Sequence, residues 1–204
     1  FADVSGETIS IKAASDFQNI NITKLFYQFN NFGQSTLTEK HLKGFATANI
    51  NFTGNWSKEL VCDLQSVAAT GTLTVDRGRL VDFKPLESLS KYVEVNELRD
   101  IKFSSMQSAF DIKNQVITIP RTTIKNSALN IELWGKHTFK NEIDYHFKLL
   151  LSELLASKKR ANKQLDEEME YYENDPENRR SVYVLMTGTV DNPIIKYDRR
   201  GLKQ

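Results

Sequence analysis

The chain of 204 residues has few residues that form disulfide bonds or bind zinc, with one cysteine and three histidines. It also has only four prolines. The single cysteine, Cys62, cannot form an intramolecular disulfide, and with so few histidines it does not supply a Cys/His zinc cluster. No apolar run approaches the roughly 18 residues of a membrane-spanning helix. The sequence as printed therefore excludes a disulfide scaffold, a structural zinc site and a spanning helix within these residues.

Charge of one sign is not in excess either. The chain has 27 Lys and Arg against 26 Asp and Glu, which leaves a formal net charge of +1. Binding to a polyphosphate backbone needs a basic excess, so nucleic acid is not expected as a partner. Hydrophobic residues make up 40% and charged residues 26% of the chain, which favours a folded domain over a disordered, collagen-like or coiled-coil chain.

What the sequence has in abundance is alternation of apolar and polar residues with period two, which is typical of strands with one buried face. The clearest case is 143–151, where apolar residues alternate with Asp144, His146 and Lys148. This pattern predicts a mainly β fold, a large antiparallel meander sheet that forms a groove or an open sandwich. Shorter runs of the same kind occur at 9–13, 46–52, 71–75, 101–103, 108–112, 117–119, 129–133 and 182–186.

Turn and breaker residues predict where the strands end. The segments 76–78 and 113–115 are predicted turns, and hairpins are expected to be centred near Gly54 and Asn114. Pro120 is expected to end a strand because it lacks the N–H that a central ladder requires.

Two short helices are predicted to pack on the sheet. The first has apolar residues at 22, 25, 26 and 29, and the second has them at 86, 89 and 93 after Pro85, which suits a first helical turn. A charged, solvated helical insertion is predicted at 156–180, where a basic cluster precedes an acidic one. We interpret 1–204 as a single β-rich region with quasi-repeats at about 18–80 and 81–150, and with a final strand at 181–197.

Residues with chemical reactivity show no catalytic pattern. His41, His137 and His146 do not have metal-ligand spacing, no carboxylate pair stands out, and Cys62 has no histidine partner in a local signature. Cys62 is expected to be a buried, inert thiol. We therefore predict a protein that is not an enzyme, with no catalytic residue, no metal and no cofactor.

A strand, a turn that contains glycine, a second strand and a small helix follow one another in the middle of the sequence. Further strands come after them. These segments are 71–80, 83–86, 89–92, 101–103, 117–120, 134–139, 143–145 and 187–193. Together they resemble the C-terminal region of AsmA-family proteins, in the form found in Bacteroidetes. The resemblance covers roughly 18–197 and rests on strands and turns rather than on a catalytic signature.

The resemblance implies a noncatalytic segment in the periplasm of a Gram-negative bacterium, tethered to the inner membrane by an N-terminal helix that would precede Phe1. It also implies a role in outer-membrane assembly and lipid homeostasis or transport, with an apolar sheet face that shields phospholipid acyl chains. Such a face gains about 0.8 kcal/mol for each CH₂ removed from water. The expected lining consists of Ala46, Ala48, Ile50, Phe52, Phe110, Ile112, Ile131, Leu133, Tyr145, Phe147 and Leu149.

Two other functions stay open at this point. The first is a structural or protein-interaction module of the cell envelope, with a closed core, no bound lipid and an envelope protein partner recruited by 156–180 or by a sheet edge. The second is an enzyme such as a glycan hydrolase, which would need a pair of carboxylates facing one cleft.

Overall fold

The computed structural model describes residues 2–3, 8–33, 35, 37–91, 98–125, 130–150, 172–174 and 180–198. Eleven strands in these residues form one antiparallel sheet, so the predicted mainly β meander is confirmed. The strands are β1 Ala2–Asp3, β2 Thr8–Asn21, β3 Leu42–Ser57, β4 Cys62–Val81, β5 Asp100–Lys113, β6 Val116–Lys125, β7 Asn130–Thr138, β8 Glu142–Leu150, β9 Tyr172–Asn174, β10 Arg180–Thr189 and β11 Asn192–Tyr197.

Neighbouring strands in the sheet follow the order of the chain. Each strand from β1 to β8 pairs with the next, β10 pairs with β8 and β11, and β9 pairs with the first residues of β10. Hairpin connections of this kind suit an antiparallel sheet, because sequential strands are usually adjacent. The result is an open sheet with edges at β1 and β2 on one side and at β9 and β11 on the other.

The first predicted hairpin centre and the first predicted turn are both wrong. Gly54 lies inside β3, and the chain turns at 58–61 instead. The predicted turn at 76–78 lies inside the 20-residue strand β4, where Arg77 has a φ of 51° and the pairing with β3 shifts register. A β-bulge accommodates the positive φ of Arg77, so the strand continues where the sequence pattern predicts a turn.

The predicted strand end at Pro120 is also wrong. Strand β6 runs through Pro120, and its pairing with β7 shifts register between Ile119 and Thr122. A proline lacks a ladder donor, but a bulge leaves one residue unpaired, so the two features compensate at the same place. The second hairpin turns at Asn114 and Gln115, as the sequence predicted.

The first predicted helix is confirmed as α1, Ile22–Gln28. The side chain of Asn21 caps it by accepting a hydrogen bond of 2.9 Å from the backbone N–H of Lys24. The second segment, Lys84–Lys91, is a 3₁₀ helix rather than an α-helix. It begins with a bond of 3.0 Å from the Leu86 N–H to the Phe83 carbonyl, which is the tighter i to i+3 pattern. Val93 lies outside the described residues.

The C-terminal part of the chain departs from the prediction in two places. Most of the predicted helical insertion at 156–180 lies outside the described residues, but Tyr172–Asn174 within it is the strand β9. The single strand expected at 181–197 is the hairpin of β10 and β11, because the chain turns at Val190 and Asp191. Pairing with β10 satisfies the backbone groups of β9, which explains why these residues are extended.

Two apolar clusters hold the helical segments against the sheet. In the first, Ile22 of α1 packs with Ala46 and Val75, all of them buried. In the second, Leu98 lies among buried residues from β8 and β10 and from the turn after β10, with Phe83 and Leu86 packed at its margin. The buried members of this second cluster are Leu98, Ile143, Phe147, Leu149, Val182, Val184, Met186 and Val190.

Candidate functional site

All eleven residues predicted to line the groove lie on one face of the sheet. Residues directly opposite each other on antiparallel strands point to the same face. The pairs Phe52 with Ala69, Ala69 with Ile112, and Ile112 with Ile117 carry one face across β3, β4, β5 and β6. The pairing of Ile117 with His137 and of His137 with Ile143 continues it to β8. We call this surface the apolar face.

The eleven residues divide into a covered group and an uncovered group. Ala46 belongs to the cluster under α1. Leu149 and Phe147 are 1% and 5% exposed and belong to the second cluster, against which Ile131, Leu133 and Tyr145 pack. The remaining five are half-buried and belong to neither cluster. We call these five the open stretch, and they are Ala48, Ile50, Phe52, Phe110 and Ile112.

Small residues separate the large ones within the open stretch. Gly71 pairs with both Ile50 and Phe110, and Ala69 pairs with both Phe52 and Ile112. A Cβ atom at Gly71 would lie 2.2 Å from the carbonyl oxygen of Asn49 and 3.0 Å from the Phe110 ring, so only glycine fits at this position. Large side chains on either side of a small one leave a shallow apolar channel along the strands.

The sequence pattern does not single out Gly71 and Ala69 as parts of this surface. Their signal was present, because Gly71 and Ala69 continue the period-two pattern of β4. What the pattern did not contain was their register against Ile50 and Phe52, which depends on pairing between strands about 20 residues apart in sequence.

The opposite face is polar, and side-chain contacts connect its neighbouring strands. The guanidinium carbon of Arg121 lies 4.1 Å from the centre of the Trp134 ring, which stacks on His146 at 5.3 Å between ring centres. The two ring nitrogens of His146 lie 2.5 Å from a carboxylate oxygen of Asp198 and 3.2 Å from one of Asp144. His146 therefore lies on the polar face, as predicted, and its ring is held by neighbouring side chains.

Tyr145 brings a hydroxyl group to the apolar face. Its hydroxyl oxygen lies 3.4 Å from Nδ1 of His137, and the two rings meet edge to face. Burial raises the pKa of the Tyr145 phenol to about 12, because the charged form is the more costly one in an apolar surrounding. Tyr145 is therefore a neutral group at physiological pH and does not offer a base to a substrate.

Alkaline titration should detect this buried phenol. Because the pKa in the folded chain lies above the ordinary value of about 10, the neutral phenol stabilises the folded chain below pH about 10. That contribution is lost as the pH rises towards about 12. We expect tyrosinate absorbance to show a last phase near pH 12 that the Tyr145→Phe variant lacks, whereas Tyr27→Phe retains it. A wild-type titration complete by about pH 11 would contradict the burial of Tyr145.

Reactive groups are dispersed over the part of the chain that the structure describes. No group of three or more His, Cys, Asp or Glu residues in that part could hold a metal ion. Cys62 is half-buried rather than buried, because it is the first residue of β4 and pairs with Trp56 at the end of the hairpin. None of the helices in the described residues has the length and apolar character needed to cross a membrane.

The fold and its surface define a class by geometry: an open, single-layer antiparallel meander with one apolar and one polar face. Comparison with protein-family models, with curated protein sequences and with solved structures finds no match to this chain. The apolar face is therefore the feature of the molecule that bears on its function.

Proposed function

We propose that this chain is a noncatalytic periplasmic segment of an AsmA-like protein that supports outer-membrane lipid homeostasis by shielding phospholipid acyl chains. The observation that carries the proposal is the open stretch, a half-buried apolar surface in the middle of a sheet whose other face is polar. Hydrocarbon placed there removes apolar surface of both partners from water. Tethering to the inner membrane through an N-terminal helix is part of the same proposal.

Apolar strand faces are normally covered by another layer of structure. In the described residues, α1 and the segment around Leu86 and Leu98 cover two parts of the apolar face, and neither cluster includes Ile50 or Phe52. A half-buried apolar strip that belongs to neither cluster is a candidate binding surface or interface. An acyl chain fits the strip because it is long, narrow and flexible, and because it needs no hydrogen-bond donor or acceptor.

Lipid extraction tests the proposal directly. The purified chain is extracted with organic solvent, and the extract is analysed by mass spectrometry. We expect phospholipid to copurify with the wild-type chain. The Ile50→Asp/Phe110→Asp double variant should carry at least about tenfold less, because a carboxylate buried against hydrocarbon is strongly disfavoured.

A matched control uses the same strands and the same charges. The Asn51→Asp/Ala109→Asp double variant places its carboxylates one residue further along β3 and one residue earlier on β5, where both side chains are exposed on the polar face. It should retain wild-type lipid content, and circular dichroism should show that both double variants fold. Absence of lipid from the wild-type chain, or equal loss in the two variants, would defeat the proposal and favour the interaction module instead.

A further inference from the structure

The end of the β3–β4 hairpin presents large aliphatic side chains to solvent. Leu60 is 72% exposed, Val61 66% and Leu64 49%. We call these three residues the apolar tip. Single exposed apolar residues are ordinary on protein surfaces, but three within five positions at one turn form a patch.

The turn is well ordered by hydrogen bonds around Ser57. The Ser57 N–H donates to the Val61 carbonyl at 2.9 Å, and the Leu60 N–H donates to the Ser57 carbonyl at 3.0 Å. The Ser57 hydroxyl oxygen accepts from the N–H of Glu59 at 3.2 Å. Leu60 itself has a φ of 61°, a left-handed conformation that is unusual for leucine. Hydrogen bonds thus define the backbone of the turn, and the side chains of Leu60 and Val61 are exposed on it.

The apolar tip is continuous with the open stretch. Trp56 pairs with Cys62 at the base of the turn, and its ring centre lies 5.9 Å from that of Phe52. Leu60 and Val61 directly precede Cys62 in the chain. Apolar side chains thus run from the open stretch through Trp56 to the end of the hairpin.

This end of the sheet also projects beyond its neighbour. Ala69 of β4 pairs with Ile112, one residue before the end of β5, so Cys62 and the residues that follow it extend past the β5–β6 hairpin. A projecting hairpin can reach a surface that the rest of the sheet does not touch.

We propose that the apolar tip enters the headgroup–acyl boundary of a phospholipid bilayer and places the open stretch beside the lipid that it takes up or releases. The placement of the open stretch beside lipid rests on the proposed function, whereas the insertion of the apolar tip does not. A bilayer fits better than a protein, because a stable protein interface buries about 800 Å² on each partner and three side chains on a convex turn supply much less. A fluid bilayer accepts a small convex apolar end with a tryptophan behind it.

The charges next to the tip set the lipid dependence. Lys58, Glu59 and Asp63 carry one positive and two negative charges, and the hydrogen bond with the Ser57 side chain lowers the pKa of Glu59. The net charge near the tip is −1, so the tip is not attracted to anionic lipid. We therefore expect binding to zwitterionic vesicles that added phosphatidylglycerol and salt do not strengthen.

Vesicle flotation of the full chain tests the inference. The wild-type chain should float with phosphatidylcholine vesicles, and phosphatidylcholine brominated on its acyl chains should quench Trp56, with the quenching lost in Trp56→Phe. The Leu60→Asn/Val61→Thr variant should bind at least about tenfold more weakly. Asparagine tolerates the left-handed conformation of Leu60, and threonine keeps the branched shape of valine, so the turn is retained.

A matched control removes equally exposed apolar groups elsewhere. Tyr27 and Ile194 are 76% and 57% exposed, and the Tyr27→Asn/Ile194→Thr variant should float like the wild type. No flotation of the wild type, or equal flotation of the tip variant, would overturn the inference. A tip variant that instead loses self-association in sedimentation velocity would show that the tip contacts a second copy.

Vesicle flotation tests the membrane contact, and lipid extraction tests the proposed function. Either experiment can give a negative result without the other. A chain that copurifies with lipid but does not float retains the proposed function and loses the membrane contact. A chain that floats but copurifies without lipid retains the membrane contact and loses the proposed function.

Discussion

Replacing Leu149 with alanine is expected to lower the free energy of unfolding by about 3 kcal/mol, whereas Ile50→Ala on the same face lowers it by about 1 kcal/mol or less. Leu149 is 1% exposed and lies between Ile131 and Val182 on the neighbouring strands. Its removal leaves a cavity in a packed cluster. Ile50 is half-buried between Ser15 and Gly71, so part of its side chain is accessible to solvent and its removal leaves no closed cavity.

Urea unfolding followed by circular dichroism measures both variants under one condition. Both substitutions remove methylene and methyl groups from the same face of one sheet, so the difference between them reports on what covers each position. A loss of about 3 kcal/mol at Ile50 as well would mean that the open stretch is packed in solution. That result would favour a closed core and would remove the observation from which lipid shielding is argued.

The period-two pattern was sufficient to predict the apolar face. Apolar residues at alternate positions must point to one side of a strand, and a slip by one residue would move Asp144 or Lys148 to the apolar side. Nearest-neighbour hairpins then leave little freedom in strand order. The face that carries Ile50 and Phe147 was therefore predictable from local chemistry alone.

The division of that face into covered and open parts was not predictable in the same way. Leu98 is 3% exposed and belongs to one cluster, yet nothing in its neighbourhood in the sequence indicates that this cluster also contains Val184 of β10. Such contacts join segments more than 80 residues apart, and a pattern within one strand carries no information about them. The same holds for the apolar tip, where Leu60 and Val61 interrupt the alternation without indicating their exposure.

The bulges are the third feature that local signals described incompletely. Arg77 and Pro120 mark places where the ladder is disturbed, and local signals alone predict a turn at the first and a strand end at the second. β4 continues because it pairs with β3 and with β5 on either side of Arg77, whereas β6 beyond Thr118 continues on its pairing with β7 alone. A residue that breaks a short strand is thus accommodated as a bulge in a wide sheet.

Gly135 is the position where a single methyl group is expected to cause the greatest damage to the sheet. Its φ of +151° is unfavourable for a residue with a side chain, and a Cβ atom would lie 2.1 Å from the carbonyl oxygen of Asp144. It would also lie 2.8 Å from Cα of Tyr145. These are backbone atoms of β8, so no side-chain rotation relieves the contacts and the two strands must separate.

We expect Gly135→Ala to lower the free energy of unfolding by about 3 kcal/mol and the melting temperature by about 6–12 °C. The matched control is Gly54→Ala, whose Cβ would have the ring atoms of Phe52 and Trp56 as its nearest neighbours at 3.1 Å, and Gly54 has no positive φ. Rings can move by a few tenths of an ångström, so this variant should lose less than about 1 kcal/mol. Thermal and urea unfolding measure both. Equal losses would mean that β7 and β8 are not paired at Gly135, and the apolar face would then be interrupted between Ile119 and Tyr145.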